Sequence, residues 1–124
     1  MSTKKSPFLD KKKISENEFA FAIFDSFPIS EGHTLVIPKK IVSSVFDLDD
    51  EEYKLIFLLL KNVKKILIDR FKPDGFNIGI NNGTYAGQTI DHAHIHIIPR
   101  YKGDLKDPRG GVRNILPDNT GYIK

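Results

Sequence analysis

The stretch DHAHIHIIPR, residues 91–100, carries three of the chain's four histidines, His92, His94 and His96, at every second position. Alternation with period two is the signature of a strand, in which residues two apart share a face. The reading therefore places the three imidazoles on one side of a strand over 91–99. Ala93, Ile95 and Ile97 lie on the other side as its core face. Same-face neighbours are then ~6.6 Å apart and the outer two histidines ~13 Å apart.

That spacing decides what the imidazoles can do together. A zinc ion needs ligands at about 2.0–2.1 Å, so two of the three can share an ion and the third cannot without breaking the strand. A metal site would need His33 or carboxylates, because the chain has no cysteine. Three exposed histidines on an amphipathic strand are the bland alternative, although the clustering argues against accident. The third reading is catalysis. A neutral imidazole is a nucleophile and a protonated one is an acid and a phosphate-binding cation, both accessible near neutral pH.

The loop upstream fits this chemistry. In NNGTYAGQT, residues 81–89, Gly83 and Gly87 let backbone N–H groups approach an anion, and Gln88 and Thr89 add side-chain donors. A tight hairpin loop would use the same glycines.

Outward from there, EFAFAIF (18–24) and HTLVIP (33–38) read as strands joined by a turn containing Pro28 and Gly32. FDLDDEEYKLIFLLLKNVKKILIDRF (46–71) shows helical spacing at Leu55, Ile56, Leu59, Leu60, Val63, Ile66 and Leu67. Asp47 or Asp49 is a candidate cap, and KPDG, residues 72–75, ends the helix. FNIGIN (76–81) alternates Phe76, Ile78 and Ile80 against Asn77, Gly79 and Asn81, a strand with one apolar face. Residues 1–17 read as an irregular lead-in and 101–124 as an extended tail. The sum is an α+β domain over 1–124, an antiparallel sheet of about five strands with one long helix packed on it.

Composition narrows the class. At 124 residues and net charge +3, the chain suits one domain and an anionic small-molecule ligand. No long basic run interleaves with aromatics, so nucleic acid is not an expected partner. Lys11, Lys12 and Lys13 read as a solvated loop or strand edge. The longest apolar run, LIFLLL, is far short of the roughly 20 residues that span a bilayer. No signal peptide is evident, and the expected location is cytoplasmic.

The motif HAHIHII resembles that of the histidine triad superfamily of nucleotide hydrolases and transferases. GQT upstream, FDSFPISEGHTLVIPKK (24–40) and PRYKGD (99–104) are similar to further hallmarks, closest in context to the fragile-histidine-triad and dinucleoside polyphosphate hydrolase branches. The resemblance implies that His94 attacks the α-phosphorus of a nucleotide, giving a nucleotidyl-histidine intermediate that water hydrolyses to the monophosphate. It implies that His96 binds phosphate and helps the leaving group, that His92 orients the triad and that His33 supports it. Asp25 would take the ribose hydroxyls, Asn81 a phosphate- or sugar-side contact, and Gly87, Gln88 and Thr89 the phosphate or the departing group. Ile23 and Phe24 would line the base pocket, with plain core packing the alternative for both. No metal or other cofactor is implied, and a homodimer is expected.

Departures are equally legible. Many bacterial relatives carry a zinc-binding Cys-x-x-Cys where this chain has SPFL, residues 6–9. The tryptophan-containing motif of the phosphoramidase branch is missing. The expected reaction is hydrolysis of a dinucleoside polyphosphate. Purine nucleoside phosphoramidase or nucleotidyl transferase and phosphorylase activity are the alternatives within the family. A nucleotide-binding regulatory module is the alternative outside catalysis.

Overall fold

A computed structural model describes residues 6–119. The first and last five residues of the expected lead-in and tail lie outside the described residues. Five strands, β1 (Ser15–Glu16), β2 (Ala20–Phe24), β3 (Thr34–Pro38), β4 (Gly75–Gly79) and β5 (Ile95–Arg100), form one sheet in the order β1-β2-β3-β5-β4, with every pair antiparallel. The helix α1, Asp50–Phe71, packs on one face. This is the α+β architecture that the periodicities predict.

The helix starts where its first backbone donors find partners. Asp49 caps it: the Glu52 N–H donates to Asp49 Oδ1 at 2.9 Å, and the Asp49 N–H donates to Glu52 Oε1 at 2.9 Å. Asp50, Glu51 and Glu52 place negative charge at the positive end of the dipole. Lys72 closes the other end in the left-handed conformation, with Pro73 behind it to prevent continuation. Ile56, Leu59, Val63 and Leu67 form the buried stripe. They meet Ala20 and Ala22 of β2, Val36 of β3, and Ile95 and Ile97 of β5. The small side chains on β2 let the helix axis lie close to the sheet.

Four expectations are corrected. The triad strand begins only at Ile95, because the Ala93 N–H donates to the Val42 carbonyl at 2.7 Å and the chain leaves the β3 ladder before His94. β4 ends at Gly79, and only Phe76 of its three alternating apolar residues packs against the core. Ile78 and Ile80 are exposed, because β4 is the sheet edge, beyond the cover of α1. The lead-in contains the short strand β1, and the tail winds into 3-10 turns over Gly111–Ile115 and Pro117–Asn119 instead of remaining extended.

Candidate active site

The face of the sheet away from α1 carries the histidines. Sheet register sets one row across it: Ile23 of β2 opposite Leu35 of β3, Leu35 opposite His96 of β5, and His96 opposite Gly79 of β4. An open cavity of about 810 Å³ lies over this row. Its lining includes Ile23, Asp25, His33, Asn81, His94 and His96.

His33 sits just before β3, where the β2–β3 connection turns back. Its carbonyl accepts from the Asp25 N–H at 2.9 Å, which fixes the two side chains next to each other. Gly32 makes the corner with φ 88°, and a Cβ there would stand 2.8 Å from the Phe71 ring. No other residue fits both the dihedral and the space.

Hydrogen-bond partners assign the protons. A carbonyl only accepts, so His94 Nδ1, 2.8 Å from the His92 carbonyl, carries the hydrogen. His94 Nε2 therefore holds a lone pair. His92 Nε2, 2.7 Å from the Pro38 carbonyl, must likewise donate, and its Nδ1 lies 2.6 Å from Ser6 Oγ. On the other side, the Ile29 N–H donates to His33 Nδ1 at 3.2 Å. The hydrogen of His33 is then on Nε2, which donates to His96 Nδ1 at 2.9 Å. His96 is left with its hydrogen on Nε2, as a donor.

Burial favours these neutral forms. His96 is pushed down to about 4, chiefly by desolvation and then by the neighbouring His94 and His33, against the pull of Asp25. His33 is lowered by burial, partly offset by Asp25. His92 is lowered by burial, offset by the carbonyls of Pro38 and Lys40. At neutral pH these three rings carry no charge.

Asp25, His33 and His96 bring one ligand atom each to within 4.8 Å of one another, close enough to share a cation. The donor set is polarised the wrong way for that. A ligating histidine donates its second nitrogen's hydrogen outward and binds through the bare one. Here the backbone donor at His33 Nδ1 forces the hydrogen onto Nε2, the atom that would have to ligate. The cluster is built as a hydrogen-bond relay.

The remaining expected residues divide. Ile23 forms the cavity floor with Leu35 and Phe8. Asp25 uses Oδ1 to accept from the Phe27 N–H at 2.9 Å, while Oδ2 lies 3.4 Å from His33 Nε2. Asn81, Gly87 and Thr89 line the cavity. Phe24 does not: it lies on the helix face, edge-on to Phe71 with ring centroids 6.0 Å apart and beneath Arg70. Strand alternation separates it from Ile23. Gln88 reaches the cavity wall, but its amide is engaged. It accepts from the Gly83 N–H at 2.9 Å and donates to the Ser43 and Ile90 carbonyls at 2.8 and 3.1 Å. Its side chain ties the loop down, and the Gly87 and Gln88 N–H groups are also spent inside the loop, on the Thr84 and Gly83 carbonyls at 3.0 and 3.2 Å, which leaves Thr89 as the donor facing the cavity. His92 is buried outside the cavity and reaches His94 only through its carbonyl.

Some site residues escaped the sequence reading. Ser6, at the position matching the first cysteine of the zinc-binding pair, instead holds His92. Phe8 packs edge-on to His94, with centroids 5.0 Å apart. Val112, Asn114 and Ile115 of the tail complete one wall. An isolated aromatic in a basic lead-in and apolar residues among glycines give no periodic signal. Arg109 pairs with Asp107 and is not among the residues that line the cavity.

Comparison with known proteins agrees with this geometry. The family model of the HIT domain matches residues 7–103. An uncharacterized 16.1 kDa HIT-like protein of Mycoplasma pneumoniae is 45% identical over 112 residues, 90% of this chain and 75% of its own length. The bis(5'-adenosyl)-triphosphatase of Dictyostelium discoideum is 41% identical over 90 residues, 73% of this chain and 60% of its own length. The crystal structure of a HIT family member from Bacillus subtilis superposes with TM-score 0.72 at 38% identity, covering 79% of this chain and 70% of that one. With the motif, the sheet topology and these matches in agreement, the chain belongs to the HIT family.

Proposed function

We propose that the protein hydrolyses a dinucleoside polyphosphate and releases a nucleoside monophosphate through a covalent intermediate on His94. One observation carries the reading: His94 Nδ1–H is held by the His92 carbonyl, which leaves Nε2 as a bare nucleophile in the cavity. Nε2 attacks the α-phosphorus, the P–O bond to the leaving polyphosphate breaks, and the electron pair departs on that oxygen. The ring becomes cationic as the N–P bond forms, and the His92 carbonyl stabilises its Nδ1–H. Water then attacks phosphorus, the N–P bond returns its electron pair to Nε2, and the water's proton is released. His96 Nε2–H and Thr89 hold the phosphoryl oxygens. Asp25 Oδ2 takes the ribose hydroxyls, and the floor of Ile23 and Leu35 takes the base.

The state of His96 favours an anhydride substrate over a phosphoramidate. A polyphosphate leaves as a stable anion, whereas an amine must gain a proton to leave. An imidazole that stays neutral down to about pH 4 supplies a hydrogen bond but no spare proton. A phosphorylase would share the first step and use phosphate in place of water. Homodimerisation belongs to the same proposal, with Phe57, Leu58 and Ile68 on the outer side of α1 and Ile78 on the edge strand exposed for it. So does work in the cytoplasm. No described helix is long and apolar enough to cross a membrane.

The test is chromatography of reactions with dinucleoside polyphosphates and an adenosine phosphoramidate, with and without inorganic phosphate, beside a His94→Ala control. Monophosphate from the polyphosphates, none from the variant and no diphosphate when phosphate is added is the expected result. Turnover that survives in His94→Ala would remove the covalent mechanism. Binding of nucleotide without turnover of any compound would make the protein a binding module.

A further inference from the structure

We infer that Lys11 selects the nucleobase, favouring guanine over adenine; the inference rests on the nucleotide reading of the cavity given above. Its ground is the polarity of the site. The row Ile23–Leu35–His96–Gly79 runs across neighbouring strands. At about 4.8 Å per strand, Ile23 lies roughly 10 Å from His96, on the side away from Gly79. The phosphorus must sit at His94 and His96. Asn81 follows β4 at the other end of the row, with Gly87 beside it, and that end takes the leaving group. The apolar end, where Ile23, Leu35 and Phe8 pack together, is where a planar base can bury its faces.

Lys11 belongs to that apolar end. The turn that carries Phe8 into the cluster closes with the Lys11 N–H donating to the Phe8 carbonyl at 3.2 Å, and both residues line the cavity. Among the described residues Lys11 is the only lysine or arginine lining it. No described residue forms an ion pair with it. A cation at the phosphate end would need no further explanation. Lys11 instead follows Phe8, which packs with Ile23 and Leu35 at the apolar end.

An ammonium offers three donors and no acceptor. Guanine presents O6 and N7 as adjacent acceptors on its outer edge, whereas adenine presents N7 beside the N6 amino group, a donor. Lys11 can bond both guanine acceptors; against adenine one of the two contacts becomes donor facing donor. Ser26, on the same rim, has a hydroxyl that both donates and accepts, so it does not discriminate.

Calorimetry with guanosine and adenosine monophosphates on the wild type, Lys11→Met and Lys12→Met tests this. Methionine keeps the aliphatic stem and removes the ammonium. Lys12, on the same basic run, does not line the cavity and controls for general charge. The wild type is expected to bind the guanine nucleotide about tenfold more tightly. Lys11→Met should bring the ratio close to one, and Lys12→Met should leave it unchanged. Equal affinities in the wild type, or a preference for adenine, overturn the inference. So does a Lys11→Met loss that is equal for both bases, which would make Lys11 a phosphate contact. Binding of neither nucleotide overturns the nucleotide reading itself, and this assignment with it.

Discussion

His94 and His96 are two residues apart and do opposite jobs, and the difference is one of proton placement. His94 gives its hydrogen to a carbonyl behind it and turns a lone pair to the cavity. His96 receives a hydrogen from His33 and turns its own outward. The depression of His33, His92 and His96 has a consequence for stability. Between the folded value of about 4 for His96 and the unfolded value near 6.5, the unfolded chain binds more protons. Stability therefore rises with pH across that window, is fully present above about 6.5, and is lost as pH falls toward 4. Urea midpoints at pH 7 and pH 5 should differ in that sense, and a His96→Asn variant should show a shallower dependence. Ser6→Ala removes the partner of a buried ring nitrogen, which costs about 1–3 kcal/mol. The same urea titration measures it, and a loss under ~0.5 kcal/mol would mean that water takes the serine's place.

At the scale of elements, the helix was legible because its stripe and its cap agree. Ile56, Leu59, Val63 and Leu67 keep helical spacing, and Asp49 stands three residues before Glu52. Leu67→Ala should cost about 2–5 kcal/mol by opening a cavity against β2 and β5. Asp49→Ala should cost about 0.5–2 kcal/mol by leaving end donors unpaired. Thermal melts of the two variants should rank them in that order. The strands were legible less completely, because pattern reports the faces of a segment and not its ladder. Alternation continues through His92 and His94, yet the backbone ladder to β3 has already ended there. In β4 the pattern announces a buried face, but edge position leaves Ile78 uncovered. Ile23 and Phe24 could both read as pocket residues because only register says which face is which. Gln88 reads as a phosphate donor by its type, while its amide is already engaged by three backbone groups.

At the scale of the whole molecule, the cavity draws on segments from both ends of the chain. Phe8 and Lys11 come from the lead-in, and Val112 and Ile115 from the tail. Nothing periodic marks either segment, so sequence placed the histidine row and missed two walls. Val112, Ile115 and Leu116 are exposed and contribute little to the core. Truncation after Asp104 should therefore leave the melting temperature within a few degrees while raising KM several-fold. The Arg100–Asp104 pair, with both guanidinium contacts at 2.8 Å, stays intact in that variant. A truncated protein with unchanged KM would show that the tail wall makes no contact with the substrate.

The acceptor that fixes the proton on His94 is the main-chain oxygen of residue 92. No codon change at that position can delete it, since every amino acid brings the same carbonyl. The floor and rim that meet the ligand are, by contrast, side chains such as Ile23, Lys11 and Ser26, each replaceable by a single substitution. Heredity therefore treats the two halves of the site unequally. The orientation of His94 passes on with the backbone, while the side chains around it are free to drift over generations without disturbing it.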